Sequence, residues 1–240
     1  MAANAISPDL LGYAKSHNAS PPRHLGQRYD ANGAFLPEPG NTVVCHLTAD
    51  SETERALADA RAQYLGMPEA DRLAITPLSS LHMTLFQGII EYRRSPEYWP
   101  AGMSLDTPID DMTAILRQGI TGFAAGPAYN VRLVEALPTG LVLEGATKAD
   151  RENLTVWRDR LADLFGYRHP DHDDYVFHIT FAYMIDWLSE EVLERWQTML
   201  QDIAGDIRRR APVLELKAPA FCAFKDMKHF EELVVLPVQN

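Results

Sequence analysis

One short phrase occurs twice in this chain, and its repetition constrains the fold more than any bulk property does. The first copy is Leu81-His82-Met83-Thr84-Leu85-Phe86; the second, its histidine 96 residues after the first, is Phe177-His178-Ile179-Thr180-Phe181-Ala182. Both runs are rich in the Phe, Ile, Leu and Thr that favour extended backbone, and side chains two apart on a strand share a face. His82 is therefore expected beside Thr84, and His178 beside Thr180, while Leu81, Met83, Leu85, Phe177, Ile179 and Phe181 turn into a core. An imidazole and a hydroxyl are delivered to one surface twice.

The surrounding pattern repeats as well. Ser51 opens a helix running to about Leu65, before the first phrase; a helix from about Ile109 to Phe123 follows it, and Asn130–Leu137 with Leu141–Gly145 reads as a hairpin around Pro138-Thr139-Gly140. In the second half a helix from about Lys148 to Phe165 precedes the strand Tyr175–Met184. A helix from Ser189 to Arg209 follows, and Val213–Lys217, Ala220–Phe224 and Leu233–Val238 supply closing strands. Helix, His-x-Thr strand, helix and hairpin thus occur in the same order twice, which predicts two similar lobes about a pseudo-twofold axis that brings the two pairs together.

Two histidines and two hydroxyls suit displacement at phosphorus without a metal. One imidazole removes the proton from an attacking water while the other, protonated, gives a proton to the departing oxygen. Threonine hydroxyls can donate to the non-bridging oxygens, where charge builds in the transition state. Which histidine acts as base depends on how the substrate lies, and the repeat leaves that open.

The paired runs Leu81-His82-Met83-Thr84-Leu85 and Phe177-His178-Ile179-Thr180-Phe181 resemble the duplicated His-x-Thr-hydrophobic motif of the 2H phosphoesterase superfamily, which includes RNA 2′,3′-cyclic phosphodiesterases and cyclic nucleotide phosphodiesterases. The resemblance implies an α+β, bilobal fold in which two antiparallel sheets with outer helices flank a central cleft. It implies catalytic roles for His82 and His178, phosphate binding by Thr84 and Thr180, and no cofactor or metal. The runs Leu25–Asp30 and Pro39–His46 also resemble a branch of that superfamily classed only as a domain of unknown function. The expected organisation is one bilobal domain over 1–240: a helix and flap over 1–41, a lobe over about 42–146 with the first motif, and a lobe over about 147–240 with the second.

Composition narrows the partners. The formal charge of −11 over 240 residues argues against a long nucleic-acid surface, which needs many phosphate-neutralising cations, yet leaves room for a small phosphorylated substrate, such as a nucleotide or RNA end, in a local pocket. No run of eighteen apolar residues and no basic-then-apolar leader is evident, so a cytoplasmic monomer without membrane contact is expected. Cys45 and Cys222, the only cysteines, sit in strand-like runs and read as reduced core residues.

Several residues carry weaker signals. The loop-like stretch Arg23–Asn41 is either a lid or a surface wrap. His46 could face the cleft or be structural; His169-Pro170-Asp171-His172-Asp173-Asp174 reads as a solvated turn, with a metallohydrolase site at His169 and His172 as the rival reading. Arg93, Arg94, Lys225, Lys228 and His229 read by default as solvated charges, with anion contacts as the rival reading. Gly119, Gly122 and Gly126 do not follow a strand, so no phosphate-cradling glycine loop is expected. A protein that keeps the cleft but only binds a phosphorylated ligand is the alternative to an enzyme.

Overall fold

Strand-forming runs, capped helices and tight turns fix most of the elements locally. The computed structural model describes residues 5–239. Ser7 caps a single helical turn, α1 (Pro8–Leu11). After the irregular segment come β1 (Gly40–His46) and α2 (Glu52–Leu65), the latter capped by the Ser51 hydroxyl accepting from the Glu54 amide. Then follow β2 (Leu73–Ile75), β3 (His82–Ile90), α3 (Ile109–Ile120), β4 (Val131–Leu137) and β5 (Gly140–Gly145). The chain continues through α4 (Lys148–Phe165), whose Thr147 and Asp150 form a reciprocal capping box, then β6 (Phe177–Thr180), β7 (Ala182–Met184), α5 (Leu193–Arg210), β8 (Ala220–Phe224) and β9 (Phe230–Val235). Among the described residues no helix is long and apolar enough to cross a membrane.

Seven strands form one sheet in the order β4-β5-β6-β3-β1-β8-β9, each neighbouring pair antiparallel. The resemblance predicted two sheets; instead two half-sheets, β4-β5-β6 and β3-β1-β8-β9, meet where Met83 pairs with Ile179. The hairpin that follows the first motif strand in sequence lies beside the second motif strand, so the halves of the chain interleave. Helices α3 and α4 pack on one face, over β1, β3 and β5, while α5 packs on β4 and against α2. That face holds the main core, with Met83, Leu85, Ile179, Phe181, Trp157 and Trp196 all fully buried. Phe177, expected in the core, only packs against its edge. A second, small apolar cluster of Val44, Cys222, Phe224, Met227 and Phe230 lies on the opposite face, over β1 and β8.

The strand expected over Tyr175–Met184 is two strands in two sheets. The amides of Phe181 and Ala182 both donate to the Thr139 carbonyl, so β6 ends there and β7 goes on to pair with β2. Gly140 makes that crossing possible. Its φ of 146° is strained for any residue with a side chain, and a Cβ would stand 2.1 Å from the Ile179 carbonyl oxygen. The segment Val213–Lys217, expected as a strand, makes only isolated bridges from Leu214 to Val131 and from Leu216 to Leu47.

Candidate active site

Antiparallel pairing through Met83 and Ile179 decides how the two motifs meet. With the central residues of the phrases opposite each other, His82 falls opposite Thr180 and Thr84 opposite His178, on the sheet face away from the main core. All four side chains line one cavity of about 570 Å³.

Both imidazoles are clamped in the same way. His82 Nδ1 lies 2.7 Å from the carbonyl oxygen of Ser80, and His178 Nδ1 lies 3.0 Å from that of Val176, in each case the residue two positions earlier. A carbonyl only accepts, so Nδ1 carries the proton in both rings and the neutral imidazole presents an unprotonated Nε2. That nitrogen is the one free to exchange a proton with a bound ligand.

The environments of the two rings differ. Phe230, from the hairpin β8–β9, sits with its ring centroid 4.1 Å from that of His82. Burial pulls the His82 pKa down to about 4, with the Ser80 carbonyl opposing and His46 and His178 adding to the fall. His46, level with His82 on β1, faces it edge-on at 6.1 Å; its Nδ1 lies 3.0 Å from Glu232 Oε1. It therefore stands beside the motif rather than in the core.

The irregular N-terminal segment covers this face. The Asp30 carboxylate accepts from the amides of Asn32 and Ala34, closing a turn, and Arg28 pairs with Glu38 at 2.5 Å. Tyr183, just after the second motif, stacks on Tyr29 at 5.4 Å and carries the Arg28 guanidinium 5.1 Å above its ring. Arg23, His24, Gln27 and Arg28 from this segment line the cavity, as does Arg93 from the loop after β3. Its charged lining comprises the guanidinium groups of Arg23, Arg28 and Arg93 against the single carboxylate of Glu38, so a pocket for anions lies in a protein of net charge −11.

The sequence reading of Arg93 as a solvated charge is thus corrected, because its side chain folds back along β3. Arg94 pairs with Glu91 at 2.7 Å and leaves the cavity. Missed altogether were Arg28, His24, Tyr175 and Tyr183; the run of Arg23, His24 and Arg28 inside a long structureless connection was the signal that could have found the first two. His169 and His172 are not solvated either. Both are buried, with His169 Nδ1 3.0 Å from Gln87 Oε1 and His172 Nε2 3.1 Å from Asp159 Oδ1, and both rings pack around Phe86. Among the described residues no group of three or more His, Cys, Asp or Glu is placed to hold a metal ion. Cys45 and Cys222 are free and buried.

Comparison with known proteins gives a family model and a solved structure. A family model described as 2H-phosphodiest, a domain of unknown function (DUF1868), matches residues 28–142, which include the first His-x-Thr motif and the end of the flap from Arg28 on, but not the second motif. The crystal structure of a conserved protein of unknown function, ATU0111 from Agrobacterium tumefaciens str. C58, is similar over 96% of this chain and 99% of that chain, with 53% identity and a TM-score of 0.95. A search of curated proteins finds no match.

Proposed function

The chain belongs to the 2H phosphoesterase superfamily, in the branch described as a domain of unknown function (DUF1868), and from that premise we propose that it hydrolyses a small cyclic phosphate such as a nucleoside 2′,3′-cyclic phosphate. The observation that carries the reading is the twin clamp. Two imidazoles from antiparallel neighbouring strands, each with Nδ1 tied to a backbone carbonyl, line one cavity with a threonine opposite each.

In this mechanism His82 Nε2 takes a proton from water as the water oxygen bonds to phosphorus. The bond from phosphorus to one ring oxygen breaks, and that oxygen receives the proton held on His178 Nε2. Thr84 and Thr180 donate to the non-bridging oxygens. Burial under Phe230 keeps His82 unprotonated at neutral pH, the state a base requires, which favours this assignment over its mirror image. The two lobes are then the two half-sheets, related by a local twofold through the Met83–Ile179 pair.

The reading is tested by assaying 2′,3′-cyclic nucleotides in the presence of a chelator. Wild type is expected to turn over, and His82→Ala and His178→Ala are each expected to lose roughly 10²- to 10⁴-fold in kcat. Activity that requires added metal, or that survives both substitutions, overturns the mechanism. Tight binding of a nucleotide without turnover points instead to a binding protein.

A further inference from the structure

Arg93 carries a charge that the protein around it does not neutralise. Its Nη1 donates to Gln87 Oε1 and its Nη2 to the Gly88 carbonyl, both at 3.1 Å, and both acceptors are uncharged. The guanidinium lies 4.6 Å from the centroid of the Tyr98 ring. Among the described residues none forms an ion pair with it, and its Nε is shut away from solvent with no hydrogen-bond partner. Asp171 acts on it only at longer range, while the nearby Arg28 is committed to Glu38. Burying a cation without a counterion is costly, so a protein that keeps one there gains from what the cation binds.

Two further orphans share its cavity. His24 Nδ1 and the Tyr175 hydroxyl are buried without a partner, and both groups feel the Arg93 charge. Burial and the charges of Arg28, Arg23 and Arg93 push the His24 pKa down to about 4, so its ring stays neutral and able to donate from one nitrogen. We propose that Arg93, with His24 and Tyr175, forms a second anion subsite that receives a terminal phosphate monoester of the same substrate whose cyclic phosphate lies between the two motifs.

This inference rests on the phosphoesterase reading for the identity of the first group. Gln87, which holds Arg93, lies three positions beyond Thr84 on β3, which puts the subsites roughly 10 Å apart at about 3.3 Å per residue. The substrate is then nucleotide-sized and carries phosphate at both ends.

Calorimetric binding of adenosine 2′-monophosphate and adenosine 2′,5′-bisphosphate to the full chain tests this without reading turnover. Wild type is expected to bind the bisphosphate about 30-fold more tightly, a gain typical of one charge-assisted, desolvated phosphate contact. Arg93→Met is expected to abolish that preference, leaving the bisphosphate bound no more tightly than the monophosphate. Arg93→Lys, which keeps the charge and loses the fork, should retain part of the preference and serves if Arg93→Met fails to fold. Equal affinity for the two probes in wild type, or a preference that survives both substitutions, overturns the second subsite. A retained bisphosphate preference in a protein that turns nothing over supports the subsite and refutes the phosphoesterase reading; turnover of cyclic phosphates with equal affinities does the reverse.

Discussion

The pairing of His82 with Phe230 makes the electrostatic asymmetry of the site a matter of one ring. Water kept from the imidazole by that ring is water that cannot solvate an imidazolium, so burial is the leading cause of its low pKa. Phe230→Ala is expected to raise the His82 pKa from about 4 toward the ordinary value near 6.5, read from the imidazole proton shifts in an NMR titration. The acidic limb of the pH–rate profile should move upward with it. The same change removes a buried aromatic from the small apolar cluster and should cost about 3 kcal/mol of stability. An unmoved His82 titration sinks the account of its burial. At this scale the sequence was informative about which side chains carry chemistry, because the His-x-Thr spacing alone sets their shared face. It misplaced Arg93 in solvent and was silent on Tyr183, because their roles depend on a side chain doubling back or on contacts with residues remote in sequence.

Among the elements, the break between β6 and β7 is the least local. Gly140→Ala forces a Cβ against the Ile179 carbonyl at a backbone angle that alanine does not tolerate, and is expected to cost roughly 3 kcal/mol, measured by urea denaturation. Gly140 pairs with Thr180, so the folded fraction should also show weaker phosphate binding. A variant as stable as wild type removes the strain argument. Helix α4 was readable to the residue, bounded by its Thr147–Asp150 capping box and by Gly166 in the left-handed conformation, whereas α3 stops three residues before Phe123 and α5 starts four after Ser189. The split strand was not readable, because the carbonyl that ends it belongs to Thr139, some forty residues earlier, and the partner that receives β7 is a three-residue strand with no periodicity of its own. Likewise Val213–Lys217 has strand-like residues but finds only isolated partners. The repeated order of elements was visible in the sequence; the exchange of hairpins between the halves was not, since order along the chain does not specify order across a sheet.

For the molecule as a whole, several buried imidazoles couple folding to pH. Burial holds His24 and His82 near 4 and His169 near 3, against about 6.5 in an unfolded chain. Between those values the unfolded chain binds more protons, so the contribution of these rings is fully present above about pH 6.5 and is lost as pH falls through 4 to 3. Urea midpoints are expected to drop already between pH 7 and 5, above the range in which most carboxylates titrate. A flat profile over that interval contradicts the burial of these rings. The whole-molecule charge pattern works in the other direction. A −11 protein repels polyanions in bulk while Arg23, Arg28 and Arg93 line one cavity, favouring small anions over long ones. The backbone clamp on the two histidines has a consequence for descent. Because Ser80 and Val176 hold the Nδ1 protons through their carbonyls, no side chain encodes the tautomer. The exposed Val176 can drift without selection on the tautomer seeing it, whereas the buried Ser80, whose hydroxyl donates to the Pro77 carbonyl, is held by its own surroundings, and the heritable specification of the proton-transfer nitrogen reduces to the histidines and the shape of the chain before them.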